Sequence, residues 1–326
     1  MTAAAEYTGA DLEGALAPYL GRIRGVSRVP SPSQSSFPID NVDVLMDDGT
    51  TLQLVAKAMD WDALSPEGRA AKPGFLWNAD RERVTYDAIL SRIDLGTPRC
   101  YGCCVTQSGL RILLLARVRG VPLWQRGDVE AWCAAGRWLA RCHSRLGADA
   151  AARSAAGPQL LRYDDRFFAC WPARALTFHG QRADLQRVTA AYARLVPWLQ
   201  AEPAAFIHGE FYPANVLIED AADAPLVRPV DWEMAAIGPP LMDVACLVAG
   251  RWQDEQREVV ADAYFTECAR ETGQADDRGE RLRALDMCLL HLSVRNLGWS
   301  RDWAPPAGRA FDWLTEALRL CDKWNF

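Results

Sequence analysis

The polar residues whose types and spacing best suit chemistry lie between positions 207 and 233. Glu210 is followed by Asn215 five residues later and by Asp231 after 21 residues. The apolar–turn–apolar pattern at 216–230 predicts a hairpin that returns Asp231 to the loop carrying the other two side chains. Amide and carboxylate oxygens suit Mg²⁺ that is shared with substrate phosphates, and a carboxylate beside such a metal can accept a proton or orient a substrate. The same residues also fit a polar turn that binds no ligand.

A lysine stands near the end of the apolar run 52–58. The chain has 36 lysine and arginine residues, of which only Lys57, Lys72 and Lys323 are lysines. A compact ammonium group suits a phosphate as a point charge, whereas a planar guanidinium prefers planar, two-pronged partners. Lys57 is therefore a candidate phosphate ligand. The alternative is a lysine at a strand end whose ammonium group reaches solvent.

Length and composition are those of an ordinary globular protein with about two domains. The chain has 326 residues, of which 50% are hydrophobic and 24% are charged, and its formal net charge is −6. This charge provides no basic field for nucleic acid, and no run of 18 apolar residues suggests a membrane span. Residues 1–21 lack a signal-peptide pattern and the ten cysteines are scattered, so we expect a cytoplasmic protein with free thiols. Composition leaves the oligomeric state open.

The hydrophobic period predicts the elements that must position the candidate residues. Strand-like runs occur at 22–29, 39–46, 51–58, 99–106 and 110–118. A helical pattern at 78–93 separates the third run from the fourth, and helical patterns predominate in the second half of the chain. The sequence therefore predicts an α+β fold. Residues 1–118 would form a five-stranded antiparallel sheet with one helix, and residues 119–326 a larger, mainly helical domain.

The motifs together resemble the signature of the aminoglycoside phosphotransferase and choline kinase-like family. The residues that carry this resemblance are His208-Gly209-Glu210, Asn215, Asp231-Trp232-Glu233, Gly238 and Asp243. Lys57 and Glu82 are similar in placement to the family's phosphate-binding lysine and its ion-pair partner. The resemblance implies a two-lobed protein kinase-like fold. It also implies a nucleotide-binding N-lobe over 1–118 and a C-lobe with the catalytic loop and the acceptor site over 119–326.

The resemblance further implies ATP or GTP and Mg²⁺ as cofactors, and a small-molecule acceptor. Lys57, oriented by Glu82, would hold the α- and β-phosphates, while Asn215 and Asp231 would hold Mg²⁺. Glu210 would orient or deprotonate the acceptor hydroxyl. Further nucleotide-binding residues would come from a small polar loop and a hinge strand, namely Ser33, Gln34, Ser35, Ser36, Ala116 and Val118. An ordinary serine- and proline-rich turn is the alternative for the loop.

Three positions in and near the catalytic motif bear on whether the protein is active. The resemblance implies that His208 braces the loop and that Asp243 accepts backbone N–H bonds that hold it. Glu210 departs from the family, which has aspartate there, and the extra methylene moves the carboxylate by about 1–1.5 Å. Displacements of that size can cost roughly 100-fold in rate. We expect an active small-molecule kinase, because the other site residues are retained. The alternative is a nucleotide-binding pseudokinase without transfer.

Overall fold

A computed structural model describes the chain except for residues 1–6, 33–35, 148–156, 223, 275–276, 300, 302–309 and 326. The Cα positions divide into two compact units, Met1–Arg119 and Gly120–Phe326. We call them the N-terminal and C-terminal units. No helix in the described ranges is long and apolar enough to cross a bilayer.

The N-terminal unit is built on a five-stranded antiparallel sheet, as the sequence predicts. Its strands are β1 (Ile23–Pro30), β2 (Ile39–Met46), β3 (Thr51–Ala58), β4 (Cys100–Val105) and β5 (Arg111–Ala116). They are arranged in the order β1-β2-β3-β5-β4. Its helices are α1 (Gly9–Leu20), α2 (Pro66–Ala71) and α3 (Arg81–Ala88).

One face of the sheet forms the core of this unit. Leu12 and Leu16 of α1 pack in one cluster with Val42 and Val44 of β2 and with Leu54 of β3. Successive side chains of a strand point to opposite faces, so every second residue of β2 is buried here. In β3 the same alternation sends Leu54 to the core face and the side chain of Lys57 to the other.

Two predicted boundaries in this unit are wrong. The helical pattern at 78–93 forms the shorter helix α3, followed by a 3₁₀ turn at Leu90–Arg92. The predicted strand 110–118 ends at Ala116, whose partner in β3 is Leu54. Gly120, the first residue of the C-terminal unit, has a φ of 121°, and any Cβ there would lie 2.6 Å from the carbonyl oxygen of Ile218, so the chain has left the strand by this point. Val118 therefore lies after the strand rather than in it.

The C-terminal unit is mainly helical, as expected. Its helices are α4 (Val129–Arg145), α5 (Asp165–His179), α6 (Ala183–Ala201), α7 (Leu241–Val248), α8 (Asp254–Thr272), α9 (Arg278–Trp299) and α10 (Trp313–Trp324). Short strands connect them: β6 (Val121–Pro122), β7 (Leu161–Arg162), β8 (Ala205–Ile207), β9 (Val216–Glu219), β10 (Leu226–Pro229) and β11 (Ala236–Gly238). The strands form two sheets, in the orders β10-β9-β6 and β7-β11-β8.

Close helix packing in this unit depends on glycine at two crossings. A Cβ at Gly136 of α4 would lie 3.0 Å from the carbonyl oxygen of Val260 in α8. A Cβ at Gly298 of α9 would lie only 2.4 Å from the carbonyl oxygen of Trp171 in α5. Both contacts are with backbone, which cannot swing aside, but only the second is shorter than a real Cβ contact, so α5 and α9 approach as they do because residue 298 has no side chain.

Candidate active site

The N-terminal unit brings Lys57 and Glu82 into a buried ion pair. The Nζ atom of Lys57 donates to Oε2 of Glu82 at 2.7 Å. The two side chains are only 6% and 1% exposed. Glu82 lies in the first turn of α3, where a carboxylate interacts favourably with the helix dipole. Removal of one partner would leave a buried charge uncompensated, at a cost of about 3–5 kcal/mol.

A second lysine lies close to this pair. The Nζ atoms of Lys57 and Lys72 are 5.6 and 5.5 Å from the centre of the Phe37 ring. Lys72, directly after α2, is also buried. The apolar run before Lys57 marks it in the sequence as a candidate, whereas Lys72 has no such run, although both stand out in a chain that otherwise uses arginine.

The small polar loop before β2 is only partly described. Ser33, Gln34 and Ser35 lie outside the described residues. Ser36 is half-buried, and its carbonyl oxygen accepts a hydrogen bond from the N–H of Ser65, the N-cap of α2, at 2.9 Å. The end of this loop is therefore attached to the element that precedes Lys72.

The residues predicted for the hinge, Ala116 and Val118, lie at the end of β5 and just after it. Ala116 is its last residue, and the N–H group of Ala116 donates to the carbonyl oxygen of Arg99 at 2.8 Å. Val118 follows two residues later, and both side chains are half-buried.

In the C-terminal unit, Asp243 holds the loop that carries Glu210. It is fully buried on α7 and accepts hydrogen bonds from two successive backbone N–H groups, those of His208 at 2.7 Å and Gly209 at 2.8 Å. His143 of α4 reaches the same carboxylate through Nε2 at 3.2 Å. The role expected for Asp243 is confirmed by these bonds.

The loop needs glycine at position 209. Gly209 has a φ of 82°, and any Cβ there would lie 2.2 Å from the carbonyl oxygen of Met234. Both the left-handed conformation and the close backbone approach exclude a side chain. The chain therefore turns sharply between the Asp243-bound N–H groups and Glu210.

His208 braces the loop, as expected. Its ring is buried and packs against Trp232 with 4.5 Å between ring centres. Nε2 lies 3.0 Å from the carbonyl oxygen of Val230, and Nδ1 lies 3.3 Å from the backbone N–H of Glu210. A carbonyl only accepts and an N–H only donates, so these contacts assign the proton to Nε2 and leave Nδ1 as the acceptor. The imidazole thereby joins the residue after β10 to the loop that carries Glu210.

Asn215 and Asp231 are brought together by the hairpin of β9 and β10. The carbonyl oxygen of Asn215 accepts from the N–H of Val230 at 2.9 Å, which places the residue beside the start of Asp231. The side-chain Nδ2 of Asn215 donates to the carbonyl oxygen of Glu210 at 3.0 Å. With its nitrogen used in this way, the amide offers its oxygen Oδ1 to a cation.

Asp231 adopts a left-handed backbone conformation two residues after the end of β10. Its φ and ψ angles are 68° and 64°, a region that aspartate and asparagine tolerate better than most residues. The donor set is one amide oxygen and one carboxylate. Its chemistry fits Mg²⁺, which binds to few protein ligands and completes its coordination with water and substrate phosphates.

Arg295 belongs to this site although the sequence patterns do not predict it there. It lies on α9, and its Nη1 donates to the carbonyl oxygen of Gly209 at 2.9 Å. Its Nη2 forms a salt bridge with Oε1 of Glu210, and the two side chains are 3% and 14% exposed. Burial lowers the pKa of Arg295, but Tyr212 and Glu210 favour the charged form, and the net pKa lies above the ordinary value.

A signal for Arg295 is present in the sequence. Residues 284–298 of α9 are mostly apolar, and a single arginine within such a helix is almost never buried without a partner. The pattern therefore indicates a buried ion pair. It does not indicate which carboxylate completes that pair.

Comparisons with known proteins identify a family and a fold. The model of the phosphotransferase enzyme family (APH) matches residues 84–281, which is more than half of the chain. No curated protein matches the sequence.

Several solved structures are similar over nearly the whole chain. A microcompartment-associated aminopropanol kinase is 14% identical, with 95% of this chain and 94% of that chain covered and a TM-score of 0.59. The GDP and kanamycin complex of an APH(2″) enzyme is 15% identical, covers 96% and 97%, and has a TM-score of 0.57. A choline kinase from Cryptosporidium parvum Iowa II is 11% identical, covers 92% and 88%, and has a TM-score of 0.52.

At these identities the structural likeness shows the fold, which is the kinase-like fold of these phosphotransferases. The family model adds a match in sequence that includes the catalytic loop, the hairpin and Asp243. The chain therefore belongs to the phosphotransferase enzyme family.

Proposed function

We propose that this protein is a small-molecule kinase that transfers the γ-phosphoryl group of ATP or GTP to a hydroxyl group of a metabolite or antibiotic-like acceptor. The observation that carries the proposal is the loop 208–215. Its backbone is held by the buried Asp243, and it presents Glu210 and Asn215 together beside Asp231. Such a rigid arrangement of a carboxylate and oxygen ligands suits phosphoryl transfer, in which positioning and electrostatics do most of the work.

Each site residue receives a role under this proposal. Lys57, oriented by Glu82, binds the α- and β-phosphates through its ammonium group. Asn215 and Asp231 would hold Mg²⁺, whose charge neutralises the phosphate oxygens. The carboxylate of Glu210 accepts a hydrogen bond from the acceptor hydroxyl. This bond points the hydroxyl oxygen at the γ-phosphorus, in line with the bond from that phosphorus to the oxygen that bridges it to the β-phosphate. As the new P–O bond forms and the old one breaks, the hydroxyl proton passes to this carboxylate.

The nucleotide-binding part of the proposal lies in residues 1–118, and the catalytic and acceptor-binding part in residues 119–326. Additional contacts to the nucleotide are assigned to the small polar loop and the hinge, namely Ser33, Gln34, Ser35, Ser36, Ala116 and Val118. A cytoplasmic location is part of the proposal, because ATP and GTP are supplied there.

The second candidate is a pseudokinase that binds nucleotide without transfer. The observation that favours it is the salt bridge between Glu210 and Arg295, at the position where the family has aspartate. A carboxylate that serves only to neutralise a buried guanidinium would not act on an acceptor.

One experiment separates the two candidates. The purified protein is incubated with Mg²⁺ and either ATP or GTP in the presence of aminopropanol, choline or kanamycin, and release of the nucleoside diphosphate is measured. Nucleotide binding is followed in parallel by thermal shift. Diphosphate release that depends on one acceptor supports the kinase and selects between a metabolic and an antibiotic-directed role. If the nucleotide stabilises the protein but no nucleoside diphosphate is released with any acceptor, water included, the result supports the pseudokinase.

A further inference from the structure

We propose that Arg295 is a positioning residue for the acceptor step, because it fixes the Glu210 carboxylate in the direction needed to orient the hydroxyl. Glutamate and arginine together would then perform this role at a position where the family pattern usually has aspartate. This inference rests on the proposed kinase function.

The guanidinium group is itself held firmly. Nη1 donates to the carbonyl oxygen of Gly209 at 2.9 Å while Nη2 binds Glu210. The rings of Trp171 and Trp299 lie 5.6 and 5.4 Å from the guanidinium carbon, which allows cation–π contact with both. One nitrogen of the guanidinium therefore binds the loop backbone at Gly209, and the other binds the side chain of the next residue, Glu210. The carboxylate is fixed relative to its own main chain.

The length of the glutamate side chain matches this arrangement. An aspartate at position 210 would place its carboxylate about 1.5 Å nearer the backbone. Because Arg295 is held by Gly209 and by two indole rings, it cannot follow by that distance without losing those contacts. The hydrogen bond from Nη2 would be lost. Glu210 and Arg295 thus form a matched pair. The glutamate needs Arg295 to fix its direction, and Arg295 needs a side chain as long as glutamate to reach it.

Preorganisation is the benefit of such a pair. A glutamate has three rotatable side-chain bonds, and a free one would sample several directions before the acceptor arrives. The bond to Arg295 selects one direction in advance, which is how a supporting residue increases the rate of a positioned reaction. This effect acts on the transfer step and leaves nucleotide binding to other residues.

The test replaces Arg295 and measures kcat and KM separately. The reactions are Mg²⁺-dependent hydrolysis of ATP and GTP, with water as acceptor, and transfer to aminopropanol, choline or kanamycin where the wild type shows it. We expect Arg295→Met to lower kcat by roughly 30- to 100-fold and to leave the nucleotide KM within about twofold. The kcat of Arg295→Lys should lie between those of the wild type and Arg295→Met. An ammonium group keeps the charge but cannot donate at once to the Gly209 carbonyl and the Glu210 carboxylate.

The chain offers a matched control in Arg257. This buried arginine also bridges a glutamate and a glycine carbonyl, with Nη1 2.6 Å from Oε1 of Glu316 and Nη2 3.0 Å from the oxygen of Gly250. Arg257→Met removes the same kind of interaction away from the catalytic loop. We expect it to lower the melting temperature while the kcat of the folded protein stays at the wild-type value.

Coupling to Glu210 completes the test. Glu210→Asp alone should lower kcat about tenfold or more, and the double variant with Arg295→Met should be little slower than the slower of the two single variants. Wild-type kcat in Arg295→Met would overturn the inference, and so would fully additive losses in the double variant. If Arg295→Met does not fold, Arg295→Lys takes its place, and wild-type kcat in that variant would overturn the inference in the same way. A wild-type protein that transfers to no acceptor, water included, would instead contradict the proposed function itself.

Discussion

At the scale of single residues, the phosphate-binding role proposed for Lys57 depends on the shape of its charged group as well as on its charge. Its ammonium group fits between Glu82 and the ring of Phe37 with 6% of the side chain exposed. A guanidinium is larger and planar, so it cannot occupy the same point. We expect Lys57→Arg to weaken ATP binding by at least about tenfold, which is 1.4 kcal/mol, as measured by titration calorimetry. Lys323→Arg is the control, and equal affinities in the two variants would remove Lys57 from the site.

Asp231 allows a test of the metal assignment without disturbance of the backbone. Its φ of 68° would strain an alanine, but asparagine tolerates this region. We expect Asp231→Asn to keep the melting temperature of the protein within a few degrees and to abolish the additional stabilisation that Mg²⁺ gives to the nucleotide complex. The measurement is thermal shift with ATP, with and without Mg²⁺. Unchanged dependence on Mg²⁺ would contradict the role given to this carboxylate.

The sequence predicts the candidate residues that share a local pattern, and it misses those that do not. Asn215 and Asp231 are expected together because a hairpin returns one beside the other, and the structure places them so. Arg295 escapes prediction because its partner lies 85 residues away. The single arginine within the mostly apolar stretch 284–298 indicates burial, but only the packing of α9 against the loop identifies Glu210 as the partner.

At the scale of elements, the crossing of α5 and α9 sets the position of Arg295. Gly298 lies about one turn after Arg295, and a Cβ there would lie 2.4 Å from the carbonyl oxygen of Trp171. We expect Gly298→Ala to push the two helices apart, to lower the free energy of unfolding by about 1–3 kcal/mol and to lower kcat as well. Urea titration and turnover are the measurements.

Gly14→Ala in α1 is the matched control for that change. A Cβ at Gly14, an exposed position of α1, meets no atom within 4 Å, so alanine should stabilise the helix slightly. Equal stability of the Gly298→Ala variant and the wild type would show that the crossing can relax.

Element types are easier to predict than element ends. The five strands of the N-terminal unit follow from alternation, and their antiparallel pairing is confirmed. The helix predicted at 78–93 is too long, because apolar spacing continues through Ile89 and Leu90 although the α-helix ends at Ala88 and a 3₁₀ turn follows. Helix α2 is not predicted, since its six residues are too few to show a period.

At the scale of the whole molecule, one buried histidine makes stability depend on pH. His291 lies in an aromatic cluster of the C-terminal unit, with Nδ1 2.8 Å from the hydroxyl of Tyr192. Burial, together with the charge of Arg295, lowers its pKa from 6.5 to about 3. The unfolded chain therefore takes up a proton more readily than the folded one. The resulting stability is fully present above pH 6.5 and is lost as the pH falls towards 3.

We expect the free energy of unfolding to fall by roughly 3–5 kcal/mol between pH 7 and pH 3 from this group alone. His291→Gln keeps a partner for Tyr192 but has no proton to gain, so its stability should change less over the same range. Urea titrations at several pH values measure the difference. Identical pH profiles in the two proteins would show that His291 is not buried in its neutral form.

The scarcity of lysine gives the molecule a built-in chemical reporter. Lys57 and Lys72 are buried in the N-terminal unit, whereas Lys323 on α10 has 39% of its side chain exposed. An amine-reactive ester acylates only amines that solvent reaches, so a brief pulse should mark Lys323 in the native protein. The other two become reactive only when their unit opens. Their acylation rates, read by mass spectrometry, would therefore report the local opening free energy of the N-terminal unit without any engineered label.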